Sequence, residues 1–338
     1  MDYRQAGVDI DKADAAKQRI KALARGTFNA GVLSDIGAFG GLFRPEFSAY
    51  EEPVLVASTD GVGSKIKVAV LTGRHDTVGY DLVAHCVNDI LVQGAAPLFF
   101  LDYIALGRMD PPKVEAIVSG FARGCREFGC PLIGGETAEM PGTYAPEDYD
   151  LAGFVVGVVE RRRALPAGVR DGDILLGLPS LGLHTNGYSL ARGILFDRCG
   201  YGVDTQLAEL GQNVGDALLL PHRGYLNALE PLLERGKIRA LCHITGGGFQ
   251  GNLPRVLPDG LGAVLRRGSW EVPALFRLLQ EKGGVSDEEM YRTFNMGIGM
   301  IAIVCAEDLH DVEHSLERRG ETSFVIGRVT GGEGVRFE

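Results

Sequence analysis

Short apolar runs recur along the chain at Val54 to Ala57, Leu98 to Leu106, Leu132 to Ile133, Phe154 to Val159, Ile174 to Gly177, Met300 to Cys305 and Phe324 to Val329. Their lengths and bounding turn residues predict strands. Helical spacing lies between them. From Pro111 to Gly129, the residues Val114, Ile117, Val118, Phe121, Cys125 and Phe128 repeat at three and four positions after a prolyl start, predicting a helix with one buried face. In DLVAHCVNDILVQGAAP, Asp81 suits a helix start, Gly94 and Pro97 suit its end, and Leu82, Val83, Cys86, Val87, Ile90 and Leu91 form an apolar arc. At about 100° per residue, Asp89 falls nearly in line with Leu82 and Cys86 at the edge of that arc. A half-buried carboxylate follows, and it needs a cation, a donor or a metal beside it.

The stretch ERRRALPAGVRDG interrupts this pattern with charges, a proline and glycines, and predicts a boundary between domains of residues 1–165 and 166–338. Apolar residues at 45% and charged residues at 23% make an ordinary globular mixture. The 48 glycines are about twice the usual share of ~7%, and they cluster in short loops after apolar runs, where backbone comes close to something. A formal charge of -10, with no basic cluster longer than the surface triplet Arg161-Arg162-Arg163, argues against a nucleic-acid partner. Cys86, Cys125, Cys130, Cys199, Cys242 and Cys305 form no C-x-x-C pair and read as reduced thiols. The N-terminus has no apolar signal core and the longest apolar runs fall short of a membrane span, so a soluble, cytoplasmic chain with no membrane partner is expected.

Candidate chemistry begins at STDGVGSKIKVA, whose glycines fit neither a P-loop nor a dinucleotide turn. Here Gly61, Val62, Gly63 and Ser64 can offer backbone N–H groups to phosphoryl oxygens, Lys65 positive charge, and Asp60 a metal ligand. The same residues also suit a tight strand-to-helix turn with a surface lysine. CPLIGGETAEMPGTY presents Glu136 and Glu139 at the head of a loop, either as solvated acids or as part of a site. If Asp60, Asp89 and Glu136 converge, each pair at about 4 Å repels by about 4 kcal/mol at an effective dielectric of about 20. Oxygen ligands without a matching His/Cys set then favour Mg2+. In GLHTNGYSLARGIL, His184, Thr185, Asn186 and Gly187 stand before a helix, where unpaired amides favour anions and His184 can act as acid, base or phosphate donor; a capping role for Thr185 or Asn186 with His184 merely packed is equally open. Gly246-Gly247-Gly248, Gly297 and Gly299 suit the same role or close packing. His75, His85, His222, His243, His310 and His314 show no metal spacing and read as surface or satisfied core.

Eight blocks, YRQAGVDID, STDGVGSKIKVA, DLVAHCVNDILVQGAAPLFFLDY, GGETAEMPGTY, YDLAGFVVGVVE, GLHTNGYSL, HITGGGFQGNLPRVLP and YRTFNMGIGM, stand in an order that resembles the phosphoribosylformylglycinamidine cyclo-ligase family, the aminoimidazole ribonucleotide synthetases, nearly end to end. The resemblance implies an α+β fold of two mixed α/β domains. Residues 1–165 would bind ATP and Mg2+ and pair through their sheets in a homodimer, and residues 166–338 would form the C-terminal domain. It also implies ATP-dependent ring closure of formylglycinamidine ribonucleotide in purine biosynthesis. By matching position, Asp60, Asp89 and Glu136 are the implied metal set, and Lys21, Asp60, Gly61, Val62, Gly63, Ser64 and Lys65 the nucleotide set. His184, Thr185, Asn186 and Gly187 are substrate-side, with Lys65, Asp89 and His184 catalytic. The usual Ser-Ser-Gly before the histidine is Ser180-Leu181-Gly182 here, and residues 26–41 are atypical. A non-catalytic nucleotide-binding paralogue would show erosion of the acids and Lys65, which are all present. Related kinases and dehydratases lack the GGETAEMP and HTNGYSL wording or carry a cysteine that this chain does not place.

Overall fold

A computed structural model describes the backbone from residue 10 to 338 and side chains from Lys17 onward. The chain divides into two units, one of residues 1–90 with 97–158, the other of residues 91–96 with 159–338. The apolar runs of the first half become one sheet because each strand places alternate side chains against helices. Unit one contains α1 (Ile10–Arg25), β1 (Pro53–Gly61), α2 (Lys65–Thr72), α3 (Asp76–Leu91), β2 (Ala96–Leu106), α4 (Pro111–Glu127), β3 (Leu132–Glu139) and β4 (Tyr149–Glu160), with strand order β1-β4-β2-β3. Strands β2 and β3 are parallel and joined through α4, as parallel neighbours require. The side chain of Asp110 caps α4 by accepting from the Lys113 N–H at 3.4 Å, and two prolines follow it. Val114, Ile117, Val118, Phe121 and Cys125 are buried as their spacing predicts.

Helices α3 and α4 touch through backbone. A β-carbon on Gly79 would lie 2.1 Å from the Ile117 carbonyl oxygen, and one on Gly120 would lie 2.3 Å from that of Asp76. No side chain fits there, so this glycine pair fixes how closely α3, with its acids, lies against the rest of the unit.

Helix α3 begins five residues before the expected cap at Asp81. Val78 and Tyr80 extend its buried face, which places Asp81 inside the helix, where capping is not its task. Its carboxylate instead lies 2.6 Å from Lys65 Nζ, and both side chains are 0% exposed. Lys65 opens α2 on the same side as the buried Ile66, Val68 and Ala69, which is why it points inward. Burial pulls its ammonium below the usual lysine range, and the Asp81 carboxylate opposes that pull. Lys65 is therefore neither the surface lysine of a bare turn nor, in this conformation, a phosphate contact.

β3 also departs from expectation. It runs through Glu139, so Gly134 to Glu139 is strand and not loop; Gly135 is needed because a β-carbon there would meet the Asp102 carboxylate at 2.1 Å. On β4 buried and open positions alternate, with Tyr149, Leu151, Gly153 and Val155 inward and Phe154 outward. Phe154, Leu55 of β1 and Tyr103 of β2 share the face away from the helices, at 39%, 61% and 38% exposure.

Unit two contains β5 (Ile174–Pro179), α5 (Tyr188–Arg192), β6 (Gln206–Leu207), β7 (Gln212–Asn213), α6 (Val214–Leu218), α7 (Leu226–Glu234), β8 (Ala240–His243), α8 (Gly248–Asn252), β9 (Leu261–Leu265), α9 (Ala274–Gly283), α10 (Asp287–Thr293), β10 (Ile298–Val304), α11 (Leu309–Glu317), β11 (Phe324–Gly331) and β12 (Gly334–Phe337). Its main sheet has the order β12-β9-β11-β5-β10-β8, and β6 pairs with β7. β10 is buried along its whole length and runs antiparallel to β5 and β8, pairing Ile298 with Pro179 and Met300 with His243. The segments leaving β5 and β8 therefore emerge together beside the start of β10.

The Lys65–Asp81 pair generates a stability prediction. Lys65→Met removes the ammonium that faces the buried Asp81 carboxylate at 2.6 Å and is expected to lower the unfolding free energy by about 3–5 kcal/mol. The double change Lys65→Met with Asp81→Leu is expected to recover most of that loss. Urea unfolding followed by circular dichroism measures both, and a single variant as stable as the parent would refute the pairing.

Candidate functional site

In unit one, the last residues of β1 and one face of α3 form an acid group. Alternation on β1 turns Ser58 and Asp60 toward α3. His85 Nε2 lies 2.9 Å from Asp60 Oδ2 and 3.7 Å from Asp89 Oδ2, and Ser58 Oγ lies 3.4 Å from the same Asp89 oxygen. The histidine side chain is 5% exposed, whereas Asp60 and Asp89 are 40% and 27% exposed. Two accessible carboxylates thus converge on one buried ring. Burial favours the neutral imidazole, but the hydrogen bond to Asp60 and the nearby carboxylate charges outweigh it and raise the His85 pKa. Asp60 is held below its usual value despite partial burial, through the bond to His85 and that from the Gly61 N–H at 2.6 Å.

From this group the chain turns directly into α2. Gly61 ends β1, Val62 is fully buried, and Gly63 takes φ 66°, a left-handed conformation that a side chain would strain. Ser64 is the residue before the helix, and the Ile66 N–H returns to the Gly63 carbonyl at 3.2 Å. Lys21 lies on α1, 2.7 Å from Asp35, which also pairs with Arg25.

Glu136 does not join Asp60 and Asp89 within one chain. Strand β3 is at the opposite edge of the sheet from β1, about 14 Å away at three strand spacings. Its side chain is also on the other face, because Glu136 pairs in register with the outward Tyr103. Strand order and alternation, which a single linear motif does not disclose, explain this correction.

In unit two, His184, Thr185, Asn186 and Gly187 form the turn between β5 and α5. His184 is 1% exposed and has φ 61°, unusual for a residue with a side chain. Gly187 has φ 78° and no room for a β-carbon, which would lie 2.3 Å from the Phe294 ring. Gly299 serves packing: a β-carbon there would meet the Tyr225 hydroxyl at 2.1 Å and His184 Cε1 at 2.5 Å. The glycine segment after β8 lies beside this turn, since a β-carbon on Gly246 would be 3.3 Å from Asn186 Oδ1. Ser180 Oγ donates to Asn295 Oδ1 at 2.9 Å, and Asn295 Nδ2 donates to the Gly182 carbonyl at 2.9 Å, so Asn295 pins the segment leaving β5.

Sequence reasoning missed four participants. His85 had a signal in its i,i+4 spacing to Asp89, which puts both on one helix face. Asn295, His222 and His243 had none, because sheet topology alone brings them together. The rings of His184 and His222 stack with centroids 4.1 Å apart and planes at 23°, and His222 Nε2 lies 3.0 Å from His243 Nε2. One nitrogen from each of the three lies within 4.8 Å of the others. A shared metal needs in-plane lone pairs that converge, and nearly parallel rings do not provide that. For a hard cation the better donors are the oxygens of Asp60 and Asp89.

Two family models cover the chain: AIR synthase related protein, N-terminal domain, over residues 29–159, and the C-terminal domain over residues 170–338. A phosphoribosylformylglycinamidine cyclo-ligase from Trichlorobacter lovleyi is 52% identical over 328 residues, 97% of this chain and 94% of the relative. Among solved structures, thiamine-monophosphate kinase from Stenotrophomonas maltophilia aligns with a TM-score of 0.72 at 21% identity, covering 96% of each chain. The hydrogenase maturation protein HypE in complex with ATP aligns with a TM-score of 0.64 at 19% identity, covering 93% of this chain and 86% of that one. The two solved structures share the fold; with both family models matched in order and half of all residues shared with a named relative, the chain belongs to the AIR synthase related family and, within it, to the phosphoribosylformylglycinamidine cyclo-ligases.

Proposed function

We propose that this chain catalyses the ATP-dependent ring closure of formylglycinamidine ribonucleotide to 5-aminoimidazole ribonucleotide, releasing ADP and phosphate, in the cytoplasmic de novo synthesis of purines. The amide oxygen of the formyl group takes the terminal phosphoryl group of ATP and ADP leaves. The ribosyl-bearing nitrogen then attacks the same carbon, and the C–O bond breaks to free phosphate as the imidazole closes. Such a reaction asks the protein for positioning and charge compensation, with no protein nucleophile.

The observation that carries this reading is the convergence of Asp60 and Asp89 on His85 beside the Gly61 to Ser64 turn. Two carboxylates left alone would repel a nucleotide. Partly exposed oxygen donors fit Mg2+, so Asp60 and Asp89 would hold it, and when bound it would neutralise phosphate charge. His85 fixes both carboxylates from the buried side. The Gly61, Val62, Gly63 and Ser64 backbone borders the phosphates, and Lys65, through Asp81, anchors α2 to α3 beneath that turn. Lys21 would reach a phosphate by exchanging Asp35 for it. The turn His184 to Gly187 is the substrate-side element, with His184 the candidate proton donor or acceptor.

The open sheet face supports a homodimer. Leu55, Tyr103 and Phe154 leave apolar surface on the side of the first-unit sheet away from its helices, and a second copy of the same face would cover it. Glu136 lies on that face too, which suits a role at the subunit boundary. No helix among the described residues is long and apolar enough to cross a membrane.

Two measurements test this reading. ADP and phosphate release should depend on added formylglycinamidine ribonucleotide, and Asp89→Asn should reduce turnover by about two orders of magnitude or more while the fold is retained. Release that ignores the substrate, or a near-normal Asp89→Asn, would refute it. Phe154→Asp should convert a dimer to monomer in light-scattering chromatography. A dimer that survives Leu55→Glu combined with Phe154→Asp would place the interface elsewhere.

A further inference from the structure

The segment Leu220 to Tyr225, between α6 and α7, backs the whole turn that carries His184. A β-carbon on Gly182 would rest 3.2 Å from Leu220 Cβ; Arg223 Nη1 donates to the Pro179 carbonyl at 2.8 Å, and the Tyr225 hydroxyl donates to the same oxygen at 2.9 Å. The Arg223 backbone N–H donates to His184 Nε2 at 3.4 Å, so Nε2 of a neutral His184 accepts and its ring proton resides on Nδ1.

His222 stands at the centre of this segment and is 0% exposed. Its face stacks on His184 at 4.1 Å between centroids, its Nδ1 lies 3.3 Å from Thr185 Oγ1, and its Nε2 lies 3.0 Å from His243 Nε2. Asn186 Nδ2 lies 3.5 Å from Thr185 Oγ1. These distances join the atoms into one hydrogen-bonded chain, from Asn186 to Thr185 Oγ1, from Thr185 to His222 Nδ1 and from His222 Nε2 to His243 Nε2. The chain starts on the β5–α5 turn, crosses the α6–α7 segment and ends on the last residue of β8, immediately before the Gly246 to Gly248 segment.

We infer that His222 is a positioning residue for substrate binding: through its stacked face and two ring nitrogens it fixes His184 and Thr185 in one orientation relative to the glycine segment after β8. It touches no substrate itself. Its two nitrogens have separable tasks, one holding Thr185 and the other holding His243.

This inference rests on the reading of the His184 turn as the substrate-side element, and the test separates the two. Turnover of the unmodified chain with formylglycinamidine ribonucleotide is measured first, then KM for that substrate and for ATP in His222→Phe, His222→Asn and His222→Gln, with melting temperature recorded for each. Phe keeps the stacked face and loses both hydrogen bonds; Asn places a polar atom near Nδ1, and Gln places one near Nε2. His222→Phe should raise KM for the ribonucleotide about tenfold or more, with KM for ATP changed less than about twofold. Asn should recover more of that loss than Gln, because Thr185 belongs to the substrate-side turn. Should the Phe variant not fold, the order of Asn against Gln decides the matter. KM values that stay at the parent level, rise equally for both substrates, or follow melting temperature instead of the Asn-over-Gln order would overturn the inference while an active parent leaves the function intact. A parent with no substrate-dependent turnover would overturn the functional reading itself.

Discussion

Two carboxylates sharing one buried imidazole is the arrangement on which the first unit depends. Asp60 comes from the end of a strand and Asp89 from the last turns of a helix, and their mutual repulsion is tolerable because His85 sits between them, 2.9 Å from one and 3.7 Å from the other. Keeping those distances demands that α3 not slide. Its backbone contact with α4 through Gly79 and Gly120 sets its height above the sheet, and the buried Lys65–Asp81 pair ties it to α2 and so to the turn that follows Asp60. Buried ion pairs add little net stability compared with apolar packing; here the pair ties Lys65, the residue that follows the DGVGS turn, to Asp81 on α3.

The second unit solves a different problem, that of holding a strained polar turn without rigid secondary structure on it. His184 has a left-handed backbone and is almost fully buried, a combination that persists only when surroundings over-determine it. They do so with Gly299 and Tyr225 on one side, the stacked His222 on the other, and Asn295 at the start of the segment. Glycine is required at 299 and 187 for space, so the glycine richness of this half is partly a packing requirement around one histidine and partly backbone freedom.

Much of this could be read from residues in order. The seven apolar runs all became strands, α4 buried the predicted face, and Asp89 proved half-buried with a partner. The motifs STDGVGSK and GLHTNGYS landed on strand-to-helix turns as their glycines implied. What failed to show in the sequence was whatever depends on two distant segments meeting. Lys65 reads as a phosphate lysine until α3 is seen to bury Asp81 against it. Glu136 reads as a third metal ligand until strand order and pleat place it on the far edge and the opposite face. Strands β8, β9 and β12 are too short to show a period, and β8 is the one that delivers His243. The reading of His85, His222 and His243 as satisfied core holds, since each is buried with a partner, but the sequence does not show that the α6–α7 segment and β8 bring His222 and His243 to the turn that carries His184.

The central claim is that the acid pair at Asp60 and Asp89 accepts a polyanionic nucleotide only when a divalent cation reverses the local charge. Calorimetric titration of a non-hydrolysable ATP analogue, with magnesium present or chelated, tests it most directly in the unmodified chain and in Asp60→Asn. The account predicts affinity about a hundredfold weaker without the ion in the unmodified chain, and a much smaller difference in the variant. Equal affinity in the unmodified chain with and without magnesium would contradict it.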